Sequence, residues 1–167
     1  MGARCGRAYP AASNGVSMVG HSEQIATLNG LSTTLVDSVN GYRNAAGKDM
    51  VGLFKDFFLE HASERQRVVE KLRATVVELG GKPAGNQASF LGRTHRGWLG
   101  LKAVLLGHDE KAIISEVERG ELFLKKKFEA ALDDEHLSGA ARLAVQEAYQ
   151  SVRNGHREIC RMNANFE

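Results

Sequence analysis

The stretch SEVERGELFLKKKFEAAL, residues 115–132, decides how the rest of the chain is read. Val117, Leu124 and Phe128 recur at the spacing of one helix face, and Glu121 falls in the same row with Gly120 beside it. An unpaired buried carboxylate is driven to protonate, whereas one beside arginine or histidine stays charged. This helix therefore needs neighbours that supply a cation at the depth of Glu121.

Those neighbours are also helices. A first helix is expected from about Ser22 to Ala46, with Ile25, Leu28, Leu35, Val39 and Tyr42 inside, Ser22 as its N-cap and Gly47 as its stop. Asp49 is expected to cap a second helix reaching about Leu79, whose inner row includes Phe58, His61, Arg65, Val68 and Leu72. The run GGKPAGNQ breaks it. A shorter helix over about Ser89–Leu106 carries His95 and Trp98, read as a packed indole beside a hydrogen-bonded histidine. The stretch quoted above lies on a helix from near Asp109 to near Asp133, and the last helix spans about Ser138–Met162.

Short links make the first two long helices antiparallel neighbours, and the last two likewise. The long middle connection, Gly80 to His108, holds a helix of its own. The expected fold is all-α: a ferritin-like, up-down-down-up four-helix bundle with a helical crossover between the second and third bundle helices. Residues 1–21, rich in Gly, Ala and Ser, are expected to form a flexible tail ahead of a bundle over 22–163. Met18 is a second candidate start. The chain opens Met-Gly, but Gly6 breaks the myristoylation pattern, and no apolar h-region is present.

Composition narrows the function classes. The 167 residues suit one domain, and 43% hydrophobic with 25% charged residues is ordinary for a globular protein. A net charge of +2 argues against a nucleic-acid partner, and no apolar run approaches the ~20 residues that span a membrane. Two cysteines, Cys5 and Cys160, make neither a disulfide framework nor a zinc motif, so a cytoplasmic setting is expected.

Three segments carry a resemblance: ATLNGLSTTLVDSVNGYRNAA (26–46), LGRTHRGWLGLK (91–102) and EVERGELFLKKKFEAAL (116–132). Together, Asp37–Gly41–Tyr42, His95–Trp98 and Glu118–Gly120–Glu121 resemble an uncharacterised bacterial ferritin-like family, over about Gln24 to Arg161. The resemblance implies a ferritin-like bundle and brings no established reaction or ligand set.

The site is therefore argued from register. The parallel second and third helices place Glu121 at the depth of His61. The last pair sets Glu121 level with Gln150 and near Tyr149, and the first pair brings in Thr34, with Asp37 one turn away. The expected mid-bundle polar layer is His61, Arg65, Glu121, Gln146 and Tyr149. As a metal centre for iron or manganese, the candidate ligands are Glu121, His61, Glu64 and His156. A ferritin-type dimetal site draws one carboxylate from each of two helices and Glu-x-x-His from each of the other two. This chain has no Glu-x-x-His, only the reversed His61-x-x-Glu64, and Arg65 puts a positive charge where the ion would sit.

The favoured expectation is thus a structural ion-pair layer with no cofactor, in a non-enzymatic binding or stress-related protein. The alternative is a metal-dependent oxidase or iron-handling protein with a degenerate site. A homodimer through an outer helix face, or an unidentified protein partner, completes the expectation. Lys125–Lys127 reads as a solvated face, and nothing around Cys160 argues for a lowered pKa.

Overall fold

The computed structural model describes residues 14–47, 50, 52–85 and 109–165. Among them are four α-helices and no strand: α1 (Asn14–Ala45), α2 (Gly52–Glu78), α3 (Glu110–Leu132) and α4 (Gly139–Ala164). Asp49 and the expected crossover helix with His95 and Trp98 lie outside the described residues.

Side-chain bonds fix the directions. Gln24 of α1 donates to the His136 carbonyl at 3.1 Å, and Ser38 of α1 to Glu121 of α3 at 3.0 Å, so α1 and α3 run antiparallel. Arg65 of α2 reaches Ser151 of α4 while His61, one turn earlier, reaches Glu158, so that pair is antiparallel too. Tyr149 to Glu129 and Cys160 to Glu118 set α4 against α3. Tyr42 packs on Phe57 and Phe58 at one end, and Asn29 meets Lys82 at the other, which sets α1 against α2. Neighbours alternate in direction and the diagonal pairs, α1/α4 and α2/α3, run parallel. The fold is an all-α four-helix bundle in up-down-down-up order.

Helix ends follow local chemistry. The Asp109 carboxylate accepts from Ala112 N at 3.3 Å and caps α3. After α2, Gly80 adopts φ 77°, Gly81 N bonds Val76 O at 2.8 Å and Gly80 N bonds Val77 O at 2.9 Å, a Schellman closure that a β-carbon at Gly80 would strain. Asn29 then clamps the departing chain, donating to Lys82 O at 3.0 Å and accepting from Ala84 N at 2.7 Å. Gly81 lies so close to α1 that a β-carbon there would come within 2.8 Å of Ile25.

Two expectations need correction. First, α1 begins at Asn14, so residues 14–21 are helical and Ser22 is an interior position, not a cap. No proline lies between Pro10 and Ser22, and interior glycines such as Gly15 and Gly20 cost only ~1 kcal/mol each, so nothing stops the helix extending backward. Second, both antiparallel pairs are displaced by more than one turn from the register implied by the loops. Each short link carries a deeply buried apolar residue, Met50 at 4% and Leu137 at 2% exposure. Burying such a side chain contributes ~1.5–3 kcal/mol. Each link thus contributes a side chain to the core. Arg142 holds the second link by donating to Leu132 O at 2.8 Å and Leu137 O at 3.1 Å.

The core is divided in two. One apolar cluster gathers Leu28, Leu35, Leu72, Phe128, Val145 and Val152 with their neighbours. The other gathers Tyr42, Phe58, Ile113, Ile114, Val117 and Ile159. Between them lie Ser38, Arg65 and Glu121, polar and fully buried.

Candidate functional site

The polar layer is built from one or two residues of each helix. Arg65 Nη2 on α2 donates to Glu121 Oε2 on α3 at 2.8 Å, and both side chains are 0% exposed. These helices are diagonal, so the ion pair crosses the bundle centre. Ser38 Oγ on α1 donates to Glu121 Oε1 at 3.0 Å. Arg65 Nη1 donates to Ser151 Oγ on α4. The α4 backbone approaches at Gly155, where a β-carbon would overlap Arg65 Nη2 and sit 3.1 Å from Glu121 Oε2 and 3.3 Å from His61 Cδ2. Glycine at 155 is the space that the guanidinium fills.

The electrostatics hold Arg65 in its charged form. Burial alone would pull the Arg65 pKa down, but the charge of Glu121, with Tyr42 and Glu64, outweighs it and the net shift is upward. Tyr42, fully buried, is pushed well above the ordinary phenol range by burial first and by the Glu121 charge second. A dry arginine–carboxylate pair gains little over an apolar pair of similar volume, but removing one partner strands the other.

His61 sits at the edge of this layer. Its Nδ1 lies 3.0 Å from Phe57 O, its ring stacks on Phe57 at a centroid distance of 4.1 Å, and its Nε2 lies 3.3 Å from Glu158 of α4. Of the candidate ligands, the structure brings Glu121 and His61 together around Gly155 and leaves the other two outside. Glu64 is about one-third exposed and lies 3.9 Å from Arg65 Nη1. His156 is half-buried beside Cys160, with ring nitrogens 3.7 and 3.9 Å from Sγ. Two residues expected in the layer are not in it. Gln146 is exposed, and Tyr149 bonds Glu129 at 2.7 Å, two turns from Glu121. The displaced register of α4 is the reason, and it puts Gly155 and Ser151 in their place. Thr34 is buried but back-bonds to Gly30 O at 3.0 Å, and Ser38, one turn on, takes the position expected for it.

Sequence reasoning missed Ser38, Ser151 and Gly155. Only Gly155 left a signal, a glycine on the buried row between Val152 and Ile159. Among the described residues, no group of three or more His, Cys, Asp or Glu side chains is arranged to hold a metal ion. Glu121, the central carboxylate, has one oxygen on the Arg65 guanidinium, whose charge would repel a divalent cation, and the other on the Ser38 hydroxyl.

A second polar set lies nearer the far end of the α3/α4 seam. Cys160 Sγ donates to Glu118 Oε1 at 3.3 Å, and Asn163 Nδ2 to Glu118 Oε2 at 2.6 Å. Burial first, and the bond to Glu118 second, push the Cys160 thiol up to about 11. It is a protonated donor at neutral pH, not a nucleophile.

The comparison with protein families now has a structure to attach to. A family model described as Domain of unknown function (DUF2383) matches residues 23–134. The chain belongs to this family. The matched span holds Ser38, His61, Arg65 and Glu121, whereas Ser151 and Gly155 on α4 lie beyond it. No curated protein matches the chain.

Three outcomes follow from this geometry. Glu121→Ala should destabilise the fold by ~3–5 kcal/mol, the cost of breaking a buried pair from one side, and Glu121→Leu combined with Arg65→Leu should be more stable than Glu121→Ala in urea denaturation. Gly155→Ala should cost at least ~1–3 kcal/mol by overpacking against Arg65, read in the same assay. In a Cys5→Ser background, alkylation of Cys160 should be slow at pH 8 and accelerate only as pH approaches about 11. A raised thiol pKa favours the protonated form in the fold, so its contribution to stability is complete below the ordinary value of 9.0 and lost as pH rises through about 11.

Proposed function

We propose that this protein is a non-catalytic helical scaffold that acts by binding a partner, and that its mid-bundle layer locks helix register. The observation that carries the reading is the Arg65–Glu121 pair, with Ser38 on the second carboxylate oxygen. A general base or a metal ligand needs a free lone pair directed at its target. Here one carboxylate oxygen faces the Arg65 guanidinium and the other accepts from Ser38, in a layer buried from solvent. In our reading the bundle is ferritin-like in arrangement, with an ion pair at the depth where dimetal carboxylate proteins of that arrangement carry their ligands. A cytoplasmic, stress-related setting in bacteria belongs to the same proposal. No helix among the described residues is long and apolar enough to cross a membrane, which accords with it.

The test is metal analysis of protein purified without an affinity tag. Iron, manganese and zinc should be far below one per chain, and a chelator should leave the melting temperature unchanged, because a ligand bound only to the fold adds directly to its stability. A wild type with stoichiometric iron or manganese, lost on Glu121→Ala, would replace this reading with an iron-handling or oxidase function.

A further inference from the structure

The face formed by α2 and α4 is open, and the two helices carry opposite chemistry along it. Arg65 beside Ser151 and His61 beside Glu158 fix the register of this antiparallel pair. With the same rise per residue in both helices, every other level follows. Asp56 and Glu60 of α2 lie level with Arg161 and Arg157 of α4. Glu147 of α4 falls at the level between Arg67 and Lys71 of α2. Ala74 and Val77 lie level with Leu143 and Ala140. All of these side chains are exposed. Level by level, α2 is acidic where α4 is basic, basic where α4 is acidic, and apolar where α4 is apolar.

Within one copy the two columns do not meet. Among the described residues, the only ion pair between α2 and α4 is His61 with Glu158. A groove of about 490 Å³ runs between the columns from Glu64 to Glu78, with Val68, Thr75, Ala144 and Ala148 in its lining. Val77, 59% exposed, and Leu143, 63% exposed, flank its end next to the lining residues Glu78 and Ala144. No other large apolar side chain among the described residues is as exposed. The face thus holds a groove and two apolar projections of the size that fills one.

We infer that this face joins two copies of the chain in a dimer whose two-fold axis runs parallel to the bundle. Such an axis keeps each residue at its own level and sets α2 of one copy against α4 of the other. Asp56 and Glu60 then oppose arginines, Arg67 and Lys71 oppose a glutamate, and Leu143 enters the apolar end of the facing groove, each contact occurring twice. Other charges near the face have neighbours of their own: Glu158 has His61, Glu64 has Arg65 at 3.9 Å, Glu70 accepts from Gln66 at 3.3 Å, and Arg153 donates to Gln150 at 3.2 Å. Glu78 has no cation at its level and stays at the end of the groove. A partner of a single charge sign would meet like charge on one helix or the other at each polar level, whereas a second copy brings the opposite column at the matching spacing. The 27 residues of α2 span ~40 Å, and two helices side by side are ~20 Å across, which gives ~800 Å² per copy, the size of a standard stable interface. The inference goes beyond the scaffold reading and does not depend on it, since a metal-bound chain could pair through the same face.

The test is sedimentation equilibrium of the full chain with a reductant present, so that Cys5 and Cys160 form no crosslink. The mass should be twice the 18.2 kDa of one chain. Leu143→Glu should weaken the dimer by at least ~10-fold, and so should Arg67→Glu combined with Lys71→Glu, which sets like charge against Glu147. Adding Glu147→Lys to that double substitution should restore the dimer, because both sides of the contact are then reversed. Helical circular dichroism should be unchanged in every variant, since all four positions are exposed. A wild type that stays monomeric at ~100 μM, weaker than the ~μM affinity that such an area commonly supports, would overturn the inference. So would a dimer indifferent to Leu143→Glu and to the α2 charge reversal, or one that Glu147→Lys fails to restore.

Discussion

A guanidinium held dry at the centre of a four-helix bundle constrains every helix around it. Arg65 requires a carboxylate within hydrogen-bond reach, and Glu121 provides it from the diagonal helix. The carboxylate's second oxygen requires a donor, which Ser38 provides from α1. The guanidinium also requires room and a second acceptor, and α4 meets both needs with Gly155 and Ser151. A slide of any helix by one turn would break one of these contacts and leave a buried charge poorly compensated, at a cost of several kcal/mol. Register in this bundle is set by polar contacts, not by the shape of interchangeable apolar side chains.

The division of labour between the layer and the cores follows. The two apolar clusters on either side supply the driving force for folding, because burial of leucine, valine and phenylalanine scales with area and is insensitive to direction. That term alone would tolerate several registers. The layer adds little net stability and selects one register among them. Met50 and Leu137 add to the apolar core from the short links.

The same contacts limit the chemistry. Each oxygen of Glu121 accepts a bond inside the layer, Tyr42 is held far above its ordinary pKa, and Cys160 is held as a neutral thiol.

Much of the architecture was legible in the sequence, because amphipathic periodicity and connection length are local properties. The rows through Leu28, Phe58, Phe128 and Val152 announced four helices, two short links announced two antiparallel pairs, and a glutamate in a buried row announced a polar layer with Arg65 and His61 in reach. The start of α1 was not legible, since a helix without a breaker extends past a good capping residue. Nor were Ser38, Ser151 and Gly155. Their roles depend on axial offsets between helices, which the contacts of the polar layer fix only once the four helices are packed. Periodicity reports which face of a helix turns inward. Only the packed bundle decides which inward residue meets which, because that is an energy of pairs far apart in the chain.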